Sequence, residues 1–253
     1  YPTKSIHSIQ QMIHTIQNHT TAGGERWLDL INSNHCKAFV IAMSIAILNQ
    51  WTGINTFLQY APEILKSTGM HSNINVMLVS SSIGLLNLIF TIIALSIIDK
   101  IGRKPLLIYG IIGIIIAEIF LAFVNYSIHN QQLVAILSAL GLFLFIISFA
   151  VGPGVVVWLV ISELFPTKIR GKGIAACLFV NSLAGAGLAT VFLKLTDLFG
   201  LTGTYSLCAA CSIVYLLISK YHLPETKKMS LEQIQDHFSK QKQMEQTHIA
   251  YKT

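Results

Sequence analysis

Charge is what this chain has least of: 17 Lys and Arg and 11 Asp and Glu are spread over 253 residues, of which 53% are hydrophobic. Soluble domains carry about a quarter of their residues as charges, so the composition excludes an ordinary water-soluble core and points to a polytopic membrane protein. Cysteine is scarce too. Cys36 sits at a membrane edge, while Cys177, Cys208 and Cys211 lie inside apolar runs, where cysteine acts as a small apolar side chain. A Cys208–Cys211 bridge across one helical turn has the wrong geometry, and the pair lacks the further ligands of a metal site. The nine histidines fall in loops and terminal segments, so neither a metal nor a cofactor is expected. The chain also lacks a phosphate-binding glycine loop, a nucleophile elbow and an HExxH helix. It has no cleavable signal pattern, because Tyr1 to Trp27 is polar and broken by Gly23 and Gly24.

What the chain does have is long uncharged runs. Ala38–Pro62, Ser67–Ile98, Pro105–Ala117, Ile119–Ser162, Gly173–Leu193 and Leu198–Ser219 carry no Asp, Glu, Lys or Arg. About 20 apolar residues at 1.5 Å each cross the hydrocarbon core of a bilayer. Glu118 is the sole charge between Lys104 and Glu163, and the polar stretch Ser127–Gln132 makes a turn, so that region resolves into two spans. The expected fold is an all-α polytopic bundle of six transmembrane helices: Ala38–Gln59, Asn75–Ile98, Pro105–Tyr126, Leu133–Ser162, Gly173–Leu195 and Gly203–Ser219. The chain then divides into an arm over 1–37, the bundle over 38–222 and a tail over 223–253. In the arm Ile6, Ile9, Ile13 and Ile16 recur at helical spacing, which suits a short amphipathic helix or, equally, a partly ordered linker. Leu231, Ile234 and Phe238 repeat the pattern in the tail.

Orientation follows from the basic residues. If both ends lie on one side, that side receives Lys4, Arg26 and Lys37 in the arm, Lys100, Arg103 and Lys104 in one loop, Lys168, Arg170 and Lys172 in another, and six lysines in the tail; the opposite side receives only Lys66 and Lys194. The positive-inside rule then makes both ends cytoplasmic. The net charge of +6 is explained by this topology and by anionic lipid headgroups, with no nucleic-acid partner.

Four amides stand out in the first span, in "NQWTGINTFLQY": Asn49, Gln50, Asn55 and Gln59. Amides at membrane depth need a partner helix or a water-filled cavity, which reads as a substrate path. Carboxamides offer donors and acceptors to a neutral, hydroxyl-rich ligand without the desolvation cost of a charge. Asn55 and Gln59 share one stripe, whereas Gln50 is about 140° from Asn55 on a straight helix; a bend at Gly53 would bring them together.

The loop motifs carry a resemblance. "DKIGRKP" at Asp99–Pro105, "SELFPTKIRGKG" at Ser162–Gly173 and "PETK" at Pro224–Lys227, with "NQWTGIN" and "GPGVVVW", resemble the sugar porter branch of the major facilitator superfamily from about Trp27 to Ile234. In that family two six-helix bundles rock around a site at their interface, and the order of motifs here corresponds to the carboxy-terminal bundle. The resemblance therefore implies a sugar or polyol substrate, a plasma-membrane location and a partner amino-terminal six-helix half. The chain begins at Tyr1 rather than Met, which is expected of a fragment of a longer protein; a half that pairs with a separate chain is the other reading.

The resemblance also implies site residues. Gln50, Asn55, Asn87 and Asn181 would contact the ligand, with Asn49 in place of a glutamine and Gln59 in place of an aromatic residue. Phe149 and Gly154 would line the site and Trp158 would close it from the cytoplasmic side; Gly152, Pro153 and Gly154 break the helix between them. The plainer reading of Asn87 is an interhelical hydrogen bond of about 0.6 kcal/mol, and the run "SLAGAG" after Asn181 reads as close helix packing. Tyr60 belongs with the gating residues. Asp99, Arg103, Glu163 and Arg170 would form a cytoplasmic charge latch, against the plainer reading of surface ion pairs worth about 0–1 kcal/mol. Glu118 is an intramembrane carboxylate, by default a functional group and so a candidate for proton coupling, although the resemblance places it on a helix that the family uses as scaffold. A non-transporting sugar sensor, an inactive truncated half and, less readily, a membrane-embedded enzyme are the alternative functions.

Overall fold

The computed structural model describes residues 36–70, 72–167, 169–225 and 227. The helical patterns expected in the arm and the tail lie outside these residues. Every element described is helical: α1 (Cys36–Trp51), α2 (Ile54–Gln59), α3 (Ala61–Ser67), α4 (Asn73–Ile101), α5 (Arg103–Ser127), α6 (Gln131–Val151), α7 (Pro153–Leu164) and α8 (Arg170–His222). Among the described residues, five helical stretches are long and apolar enough to cross a membrane: Cys36–Gln59, Asn73–Ile101, Arg103–Ser127, Gln131–Leu164 and Arg170–His222.

The breaks fall where local chemistry puts them. Gly53 has φ 86° and separates α1 from α2. Gly102 has φ 109° and lets α4 turn directly into α5. Asn130 caps α6, its side-chain oxygen accepting from the Gln132 and Leu133 amides at 3.1 and 3.2 Å. Gly152 ends α6, and Pro153, which has no N–H to lose at a first-turn position, starts α7.

The break expected between Leu195 and Gly203 is a kink: α8 (Arg170–His222) consists of two helices that meet at Gly200, where φ 67° and ψ 176° leave the helical region. At 1.5 Å per residue the pieces over 170–199 and 201–222 are about 45 and 33 Å long, each enough for a hydrocarbon core of about 30 Å. The apolar pattern marks both pieces, and a single positive-φ glycine redirects the chain between them.

Helices pack through small residues where backbones meet. A Cβ on Gly110 of α5 would come 2.5 Å from the Gly152 Cα at the α6–α7 break, so this crossing tolerates only glycine. One core cluster joins α1, α7 and the end of α8 through Ile45, Val160, Phe165 and Tyr215. The other surrounds α2 and α3, where Phe57 meets Phe145, Tyr205 and Phe192 with ring centroids 5.0, 5.4 and 6.1 Å away. Helix α4 and the first half of α8 leave wide apolar faces exposed, among them Leu78, Leu85, Ile92, Phe179 and Leu183.

Candidate functional site

The break at Gly53 shapes the site. With the Gly53 amide bonded to the Gln50 carbonyl at 2.9 Å and the Phe57 amide to the Gly53 carbonyl at 2.7 Å, α2 restarts on a new axis. The Asn55 amide then donates to Gln50 Oε1 at 2.8 Å. Gln50 in turn donates through Nε2 to Asn181 Oδ1 on α8 at 3.2 Å. Three carboxamides thus form one chain across two helices, buried at Gln50 and Asn181 and exposed at Asn55.

That chain opens into a cavity of about 620 Å³ lined by Asn55, Leu58, Gln59, Asn181, Ser182, Gly185, Ala186 and Ala189, within the size range of small-molecule sites. The small residues of α8, expected as helix packing, form its wall. Gly185 is tied to the amide chain itself, because a Cβ there would lie 3.0 Å from Gln50 Oε1. Any larger residue would press on the amide that links Asn55 to Asn181. No long polar side chain marks these positions in the sequence, so only the helix crossing reveals them.

The other expected contacts lie elsewhere. Asn49 is buried with its Oδ1 unpaired, and Asn87 is half-buried on α4; neither lines the cavity. Phe149 is buried and lies against Gly154, whose added Cβ would meet the ring at 3.3 Å. Trp158 is half-buried against the α1–α7–α8 core. These residues belong to α6 and α7 and do not line the cavity. Tyr60 closes one edge: its ring stacks on Phe192 at 5.3 Å, and its hydroxyl donates to the Ala189 carbonyl at 3.4 Å.

The charged loops form a second centre. Arg103 pairs through Nη1 with Asp99 at 2.9 Å, and its Nε lies 3.4 Å from Glu163 Oε1. The second contact is an ion pair by distance without hydrogen-bond alignment, and Glu163 Oε2 is buried and unpaired. Arg170, expected in the same network, turns instead to its own loop, where Nε reaches the Phe165 carbonyl at 3.4 Å; it follows Ile169 at the start of α8, within reach of that turn. Sequence reasoning missed Glu225. Its carboxylate accepts from the Arg103 and Lys104 amides, each at 3.1 Å, at the start of α5, where four amides lack intrahelical partners. The signal was present in "PETK", whose one acid follows the last apolar run.

Comparison with known proteins places this arrangement. Residues 2–238 match the family model described as sugar (and other) transporter. A putative metabolite transport protein of Bacillus subtilis, YwtG, is 32% identical over 227 residues, which are 90% of this chain and 50% of that protein. The D-xylose-proton symporter of Escherichia coli is 29% identical over 92% of this chain and 47% of its own length. The crystal structure of a double-tryptophan mutant of XylE superimposes with a TM-score of 0.77 at 29% identity, over 94% of this chain and 49% of that one. A second XylE structure, described as an MFS proton:xylose symporter bound to 6-bromo-6-deoxy-D-glucose, gives 0.74 at 29%, over 93% and 49% of the two chains. The chain spans about half the length of the curated relatives it matches. These relatives are transporters, not enzymes, and by this match the chain belongs to the sugar (and other) transporter family of the major facilitator superfamily.

Proposed function

We propose that this chain supplies the carboxy-terminal half of a sugar or polyol transporter that works by alternating access. The observation that carries this reading is the chain of amides Asn55–Gln50–Asn181, opening with Gln59 onto a cavity at membrane depth. Such a wall offers donors and acceptors to hydroxyls without a buried charge, and the sugar-proton symporters among the relatives support the ligand class.

In this reading α8 crosses the membrane twice, turning at Gly200, which brings the count to six. Both ends face the cytoplasm at the plasma membrane, with the arm over 1–37 and the tail over 223–253 on that side. An amino-terminal six-helix half covers the cavity and the exposed apolar faces of α4 and α8, supplying the second wall that alternating access requires. Asn49, Asn87, Phe149, Gly154 and Trp158 join the site when that half is in place, Tyr60 gates it, and Asp99, Arg103, Glu163 and Arg170 act with Glu225 as the latch.

Flux of labelled sugars into proteoliposomes, measured with and without an added amino-terminal half, tests the reading. Uptake that depends on both halves and on Gln50 supports it. A lack of uptake under both conditions refutes it.

A further inference from the structure

Neither the cavity nor the charged loops use the buried carboxyl of Glu118. Glu118 lies about midway along α5 with no exposed surface, and neither carboxyl oxygen has a hydrogen-bond partner. The side chain beside it is Ser212 of α8, within hydrogen-bonding reach of the carboxyl, and its hydroxyl is equally buried with no other partner. Ser212 is part of a row. Tyr205, Cys208, Ser212, Tyr215 and Ser219 recur at spacings of three and four on one face of α8, all buried. The hydroxyls of Tyr205, Ser212, Tyr215 and Ser219 are all unpaired. Buried polar groups are nearly always satisfied, so a buried carboxyl whose neighbour is Ser212 and a row of hydroxyls without other partners on one face of α8 need an account.

No cation supplies one among the described residues. Helix α6, packed on α5, carries no ionisable side chain at all. On α8 the Cys208 and Cys211 thiols and the Tyr205 and Tyr215 phenols flank Ser212, while that helix's charged residues Arg170, Lys172, Lys194, Asp197, Lys220 and His222 stand eight or more residues away along the chain. The charges of α4 and α7, namely Asp99, Lys100 and Glu163, sit in the last turns of those helices, and Arg103 and Lys104 in the first turn of α5. An ionised carboxylate in such a place, with nothing to pair it, costs several kcal/mol, whereas the neutral acid can donate one hydrogen bond to a facing hydroxyl.

We propose that Glu118 and the hydroxyl row of α8 form a proton-binding site inside this bundle, with the carboxyl holding its proton while α5 and α8 are packed and releasing it when water enters the crossing. Ser212 takes the hydrogen bond from the acid. Tyr215 and Ser219 continue the polar row toward the end of α8; the seven residues from Ser212 to Ser219 rise about 10.5 Å. The ligand is the proton alone, and the site is independent of the sugar reading, since it uses none of the cavity residues.

Infrared spectroscopy of the 253-residue chain in lipid vesicles tests this. At neutral pH the carbonyl band of a protonated carboxylic acid is expected, shifted in D2O and lost in Glu118→Gln. The band is expected to fade as the pH rises, and Ser212→Ala should move the midpoint of that loss, a change that a purely structural acid has no reason to make. If Glu118→Gln does not fold, Glu118→Asp serves instead, with the band displaced rather than lost. A missing band at neutral pH overturns the proposal, because the group is then ionised. A band that persists unchanged to the highest pH at which helix content survives overturns it too, because the proton is then never released.

Discussion

Asn55 and Gln50, about 140° apart on a straight helix, are joined by a 2.8 Å hydrogen bond because Gly53 between them takes a left-handed conformation. The contact joins the amides of two short helices into one chain, since Gln50 then has its other end free to reach Asn181 on a different element.

Gln50→Ala and Asn55→Ala are each expected to weaken ligand binding by ~1–3 kcal/mol, the cost of leaving hydroxyls or neighbouring amides unpaired. Equilibrium sugar binding to the chain assembled with an amino-terminal half measures it. Unchanged affinity in both variants would remove the amide chain from the site.

Gly53→Ala should destabilise the bundle by at least about 1–2 kcal/mol, the cost of a left-handed conformation for a residue with a Cβ, because that Cβ would also come 2.8 Å from the Phe57 ring. Gly84 is the control: it lies within α4 with nothing within 4 Å of an added Cβ, so Gly84→Ala should be neutral or stabilising by up to about 1 kcal/mol. Denaturation in detergent compares the two, and an equal effect would refute the role given to the Gly53 break.

Glu225→Ala should expose the start of α5. The Arg103 and Lys104 amides lose their acceptor, at a cost of about 0.5–2 kcal/mol for a missing helix cap. Hydrogen exchange at those two amides should accelerate while exchange at mid-helix amides of α5 stays unchanged; no acceleration would show that the contact does not hold in solution.

Charge reversal of Arg103 or Glu163 is expected to move the assembled transporter toward inward-facing states without abolishing ligand binding, because the pair lies at the helix ends rather than at the amide wall. Reversing both should restore the outward-facing population only in part, since Arg103 also holds Asp99. Cysteine accessibility from each side of the membrane reads the populations. Unaltered accessibility with unaltered transport would reduce these charges to topology signals.

The 253-residue chain alone should insert but not transport, because it presents one wall of a site that needs two. Sugar uptake by vesicles containing only this chain, above protein-free controls, would falsify that expectation and point to pairing between two copies.

The class of the protein and most helix ends were legible in the linear sequence, because spanning a bilayer needs only length and apolarity and because breaks follow residues with special backbone chemistry, such as Gly102, Asn130 and Pro153. The amides of Gln50, Asn55 and Gln59 were legible because polar side chains at membrane depth need a partner helix or a cavity, and Asn181 was legible through the resemblance. Other features depended on distance in space between residues remote in sequence. Gly185 and Ala186 became cavity wall because α8 crosses α1 and α2 there, and a glycine or alanine has no side-chain chemistry to announce it. Glu225 reached the start of α5 across more than a hundred residues, whereas Arg170 stayed with its own turn although its charge matched Glu163 as well as Arg103 did. Charge and polarity are properties of a residue and can be read along the chain; which oxygen meets which amide depends on helix crossings, and those were decided only when the bundle packed.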